Sequence, residues 1–211
     1  VWLDDDDALH KDFLKEMVPV LDNLPQEYGA VGCIREVIYP EGSVYQNPPK
    51  PTFYCSIDDG FLIRKSVFDK VQCDENLTTD EDADFGLHFL KLYKLGQVYK
   101  RLMYKYGHPI INDFSYSRPT LWRLVGLEKF LAKNLREFKK VPREYAYICR
   151  MAGRNFYLGE QYRKGVQFFQ EALNASKSPR NALYWVTGIL HLFKPYYVLE
   201  TKIVRLVRIH R

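Results

Sequence analysis

A mixed α/β part followed by an all-α region is the fold class this sequence predicts, and three observations lead to it. Apolar runs of strand length alternate with helical patterns over the first half of the chain. From Pro119 onward the periodicity is helical throughout. The charge also changes sign: residues 1–117 hold 12 Lys and Arg against 20 Asp and Glu, net −8, and residues 118–211 hold 19 against 6, net +13. The expected organisation is therefore a mixed sheet with flanking helices over 1–117 and a basic helical region over 118–211.

The elements follow in order. Val1-Trp2-Leu3 reads as the end of a buried strand, and the spacing of Phe13, Met17, Val20, Leu21 and Leu24 predicts a helix from Asp12 to Leu24, closed by Pro25. Ala30 to Tyr39 reads as a strand, and Pro40 through Pro51, rich in proline, as an extended surface loop. Phe61-Leu62-Ile63 leads into a short helix near Ser66 to Val71. A longer helix is expected from Glu81 to Leu95, ended by Gly96, and then a strand from Gln97 to Tyr106.

In the second part, Leu121, Leu124, Val125, Leu127, Leu131, Leu135 and Phe138 form one broad apolar helix face. Glu144–Leu158 and Gln161–Ala175 resemble a single tetratricopeptide-type helix pair. About three such repeats are usually needed to bury a face, so these helices are expected to pack on the α/β part. One or two helices follow Pro179. The last sets Leu199, Ile203, Leu206 and Val207 near one side and Lys202, Arg205, Arg208 and Arg211 near another, a basic amphipathic pattern suited to a membrane surface.

With 211 residues, 46% apolar and 15% aromatic, the chain can bury a sizeable core and disorder is not expected. Cys33, Cys55, Cys73 and Cys149 lie far apart, which argues against a zinc ribbon or a disulfide scaffold and suits a reducing, cytoplasmic compartment. The longest mostly apolar stretch, Ala182 to Phe193, is too short to span a bilayer, so a soluble or peripheral protein is expected. Phosphate-binding glycine loops, a dinucleotide fingerprint and a nucleophile elbow are absent from the sequence, and no nucleic-acid module is recognised.

Chemistry concentrates in two acidic clusters, Asp4-Asp5-Asp6-Asp7 and Asp80-Glu81-Asp82-Ala83-Asp84. Adjacent carboxylates repel by about 1 kcal/mol per pair at 4 Å even in bulk water. A divalent cation with a preference for hard oxygen ligands relieves that repulsion; a solvated acidic turn is the plainer alternative. The second cluster opens a helix, where a carboxylate is held as the anion and is ready to accept a proton. Capping of that helix by Thr79, with Asp82 in its first turn, explains the same residues structurally.

Trp2-Leu3-Asp4-Asp5-Asp6-Asp7-Ala8-Leu9, Gly60-Phe61-Leu62-Ile63-Arg64-Lys65 and Glu81-Asp82-Ala83-Asp84-Phe85-Gly86-Leu87, in that order, resemble the family 2 glycosyltransferases of GT-A fold. The likeness spans residues 1 to about 110, the C-terminal half of that catalytic domain, so the chain is expected to be a fragment or to lack donor binding by itself. The resemblance implies a metal-dependent inverting enzyme with a nucleotide-sugar donor and a saccharide, lipid-linked or protein acceptor. It implies Asp4 and Asp6 facing the donor diphosphate, with Asp6 the direct ligand of Mn2+ or Mg2+, although the run of four aspartates leaves that register open by one residue. It further implies Asp82 as general base, His108 as a further metal ligand, and Asp58, Asp59 and Glu81 as substrate-binding residues, with Asp58 or Asp59 on sugar hydroxyls. Arg64 and Lys65 are candidates to approach phosphate, and an exposed helix start accounts for them as well. The alternative function is a non-catalytic scaffold that binds partners through the helical region.

Overall fold

The computed structural model describes residues 1, 3–4, 6–39, 42–47, 57, 60–106 and 121–200. Two compact units are present, Val1–Asn76 with Asp80–Pro109, and Leu77–Thr79 with Ile110–Arg211.

The first unit is α/β, built on a mixed five-stranded sheet. Its strands are β1 (Ala8–Leu9), β2 (Tyr28–Tyr39), β3 (Gly42–Gln46), β4 (Phe61–Ile63) and β5 (Lys94–Tyr106). β5 lies between β1 and β2, and β2 pairs with β3 and β4 along its other edge. Only β2 and β5 run parallel; every other pairing is antiparallel. Successive residues of a strand face opposite sides, so Ala30 and Val31 feed two separate cores. Ala30 packs with Phe61, Val67, Phe85, Phe89 and Leu95 beneath α2 (Glu81–Leu92) and a 3-10 turn at Lys65–Asp69. Val31 and Cys33 pack with Phe13, Met17, Leu21 and Met103 beneath α1 (Phe13–Asn23). Helices thus cover both faces of the sheet.

Three sequence expectations are corrected here. Val1 and Leu3 are exposed coil, not the end of a buried strand, and the first strand is Ala8–Leu9, after the aspartate run. Within the expected loop, Gly42–Gln46 forms a strand against β2, with Tyr39 opposite Gly42; Ser43 to Gln46 alternates enough to pair once Gly42 takes φ 141. α2 stops at Leu92, because Tyr93 is extended and the Lys94 amide donates to the Glu27 carbonyl at 2.6 Å. Gly96 therefore lies inside β5 opposite Val31, where a Cβ would fall 2.8 Å from Val31 Cγ1.

Arg64 has a structural task. Its Nε donates to the Tyr28 carbonyl at 2.9 Å and its Nη2 to the carbonyls of Leu24, at 3.1 Å, and Leu21. The guanidinium thus ties the end of α1 to the start of β2 through three backbone carbonyls.

From Leu121 onward the described residues of the second unit build helices: α3 (Leu121–Lys139), α4 (Pro142–Leu158), α5 (Tyr162–Ala175), α6 (Pro179–Ile189) and residues 193–200. α4 and α5 cross where both lack side chains. A Cβ on Gly153 would meet the Phe169 ring at 2.5 Å and one on Gly165 the Tyr157 Cβ at 2.8 Å. Ser178 caps α6 by accepting from the Asn181 amide at 3.2 Å, with Pro179 at the first helical position. Tyr157, Leu158, Phe169, Tyr184 and Phe193 form the core of this helical stack. Among the described residues no helix is long and apolar enough to cross a membrane.

Candidate active site

The aspartate run enters β1 from its N-terminal side. A turn closes it, with the Asp7 amide donating to the Asp4 carbonyl at 3.2 Å. Ala8 pairs with Tyr104 and Leu9 with Met103 in the antiparallel ladder, which carries Asp7 to the level of Lys105 at the end of β5. There the Asp7 side chain is 0% exposed. Its Oδ1 accepts from the Tyr106 amide at 3.2 Å and its Oδ2 lies 3.1 Å from Lys105 Nζ. Burial of a charge is costly unless it is paired and hydrogen-bonded, and Asp7 is both.

Asp4 and Asp6 are exposed, yet carboxylate oxygens of Asp4, Asp6 and Asp7 all lie within 4.8 Å of one another. Lys105 Nζ also approaches Asp4 Oδ2, at 3.6 Å. The set fits a hard divalent cation in donor type and in spacing, since oxygens about 2.1 to 2.5 Å from one ion lie roughly 3 to 5 Å apart. Lys105 supplies part of the same neutralisation from the protein itself.

The second cluster sits on the first turn of α2. Asp80, rather than Thr79, is the N-cap; it adopts the left-handed conformation, φ 59 and ψ 22, and its side chain makes no capping hydrogen bond. Asp84 is buried at 1% exposure, with His88 Nδ1 3.6 Å from its Oδ2 and 2.9 Å from its carbonyl. Asp82 is half-buried and Glu81 exposed. Neither belongs to the oxygen cluster of Asp4, Asp6 and Asp7. Cys73, which the sequence reading passed over, completes this corner. Although the residue is exposed, its thiol is pushed up first by the protein enclosing it and then by the carboxylates of Glu81, Asp84 and Asp82.

Sheet topology relates the two clusters. Only Tyr93 separates α2 from β5, and Phe89 and Leu95 share one core cluster, so α2 runs back against the direction of β5. Its first turn is fastened by the Ile57 amide, which donates to the Asp82 carbonyl at 3.3 Å. Three residues further, Gly60 accepts from the Cys33 amide at 3.1 Å, beyond the point where β4 leaves β2. The first turn of α2 is therefore fastened beside Ile57, while the Asp4–Asp7 turn lies at the carboxyl end of β5. In open α/β sheets that end is where ligands bind.

No family model matches this sequence, and no curated protein matches it. The site has to be read from its own residues. Asp4, Asp6, Glu81 and Asp82 are placed as above, while His108, Asp58 and Asp59 lie outside the described residues. Lys105 is the addition that geometry makes to the site, and within the aspartate run it is Asp7 whose side chain is buried and paired.

Proposed function

We propose that this protein is a metal-dependent inverting glycosyltransferase that moves a sugar from a nucleotide-sugar donor to an acceptor hydroxyl. The observation that carries the reading is the grouping of the Asp4, Asp6 and Asp7 carboxylates beside the carboxyl end of β5, with Asp82 on the first turn of a helix packed on the same sheet. Asp82, on the first turn of α2, takes the proton of the acceptor hydroxyl as the hydroxyl oxygen attacks the anomeric carbon. The bond to the donor diphosphate breaks in the same displacement, so the anomeric configuration inverts. Asp4 and Asp6 would hold a divalent cation, with Asp7 anchoring the turn through Tyr106 and Lys105. Such an ion neutralises diphosphate charge and makes it a better leaving group. Without an ion, Lys105 offsets part of the charge on Asp4 and Asp7.

The test is sugar release or transfer from a panel of nucleotide sugars with Mn2+ or Mg2+, with chelator, and with Asp6→Asn. Metal-dependent turnover that Asp6→Asn lowers by about a hundredfold or more supports the reading. Turnover that survives chelation, or none with any donor, counts against it.

A further inference from the structure

α6 is built inside out. Its buried residues include Asn181, Tyr184, Thr187 and Gly188, whereas Leu183, Val186, Ile189 and Leu190 are 41 to 58% exposed. Leu183, Val186 and Leu190 follow one another at spacings of three and four, which puts them on one stripe. Leu192, at the corner before residues 193–200, is exposed as well. The polar residues on the inner face are fully engaged. Asn181 Nδ2 donates to the Ala172 carbonyl at 2.9 Å, its Oδ1 accepts from Arg150 Nη1 at 2.6 Å, and Thr187 Oγ1 donates to the Leu183 carbonyl at 2.7 Å. The inner face is therefore settled, and the leucine stripe is surplus to the fold. A helix apolar on the side away from its core has a second apolar medium to meet.

Charge selects that medium. Between Glu171 and Glu200 the sequence holds no acidic residue, while Lys177 and Lys194 are basic. Glu200 is itself neutralised within the fold, 3.0 Å from Arg180 Nη2 and accepting from the Tyr184 hydroxyl at 2.6 Å. After Glu200 the sequence adds Lys202, Arg205, Arg208 and Arg211 and no acid. A leucine stripe in surroundings of one positive sign matches the acyl and headgroup boundary of an anionic bilayer. A second copy of the chain would bring like charges together, and a net charge of +13 over residues 118–211 opposes it.

We propose that the outward face of α6, from Leu183 to Leu192, docks the helical unit on an anionic lipid surface. This is independent of the transferase reading and survives its failure. The experiment is co-sedimentation of the full chain with vesicles of phosphatidylcholine alone and with about one third phosphatidylglycerol, at low and high salt, for wild type, Leu183→Ser/Leu190→Ser and Lys194→Glu. Melting curves and circular dichroism confirm that the variants fold, as expected of exposed positions. The expected result is binding to the anionic vesicles, weakened at high salt, reduced roughly tenfold by the double leucine variant and several-fold by Lys194→Glu. Three outcomes overturn the proposal: no binding to anionic vesicles; binding that removal of residues 201–211 abolishes but the leucine variant leaves intact; or a dimer in light scattering that the leucine variant dissociates, in which case a second copy covers this face.

Discussion

Lys105 places its ammonium 3.1 Å from Asp7 Oδ2 and 3.6 Å from Asp4 Oδ2, so a protein cation stands at the edge of the carboxylate cluster. On the proposed reading, lysine and a divalent ion compete for the same negative charge. Lys105→Met should tighten Mn2+ binding several-fold, measured by titration calorimetry at low salt. It should also lower stability by about 1 kcal/mol, less than for a fully buried pair because Lys105 is partly exposed. Weaker Mn2+ binding in the variant would show that Lys105 and the ion do not share the cluster.

The corner around Cys73 gives a test of the second cluster that needs no substrate. Glu81 is the largest of the three carboxylate influences on this thiol. Glu81→Gln should bring the thiol back toward its ordinary range and speed alkylation of Cys73 several-fold near pH 8, since the thiolate is the reactive form. Quantifying the labelled Cys73 peptide by mass spectrometry checks this. An unchanged rate would place the acidic helix start away from Cys73.

Arg64 is expected to matter for folding alone. Arg64→Ala leaves the carbonyls of Leu21, Leu24 and Tyr28 without this donor and should cost about 1 to 3 kcal/mol in denaturant unfolding. Arg64→Lys should recover part of the loss, because one ammonium cannot reach all three carbonyls in the planar geometry that the guanidinium provides. A wild-type unfolding midpoint for Arg64→Ala would refute the capping assignment.

Burial pushes the Cys149 thiol up to about 12 and the Cys33 thiol up to about 11, from an ordinary 9.0. A folded-state value above the unfolded one means that the unfolded chain releases the proton first. The stabilisation is therefore whole below about pH 9 and is lost as pH rises toward 11 to 12. Each thiol contributes a fall of at most about 1.4 kcal/mol per pH unit. Calorimetric melting from pH 8 to 10.5 should show a decline that is shallower in Cys149→Ala. An identical slope in that variant would contradict the assignment.

Periodic elements were legible in the sequence because their signal is local. Met17 and Leu21 mark the buried face of α1, and Phe85 and Phe89 that of α2, as their spacing requires. β1 has two residues and carries no period to read, and β3 is flanked by prolines that mark a loop. At the candidate site the acids themselves were visible as runs, but their relative standing was not. Asp7 is singled out by Lys105 and Tyr106, nearly a hundred residues away, and this pairing exists only once β1 meets β5. Cys73 joins Glu81 and Asp82 in the same way, through folding and not through sequence spacing.

The general-base role of Asp82 is the point on which the transferase reading stands most directly. It is tested by the rate of sugar transfer in Asp82→Asn relative to wild type, with folding and Mn2+ binding shown to be intact in both. The account gives a fall of about a hundred to ten-thousandfold in kcat with little change in metal affinity. A variant that transfers sugar at the wild-type rate contradicts it.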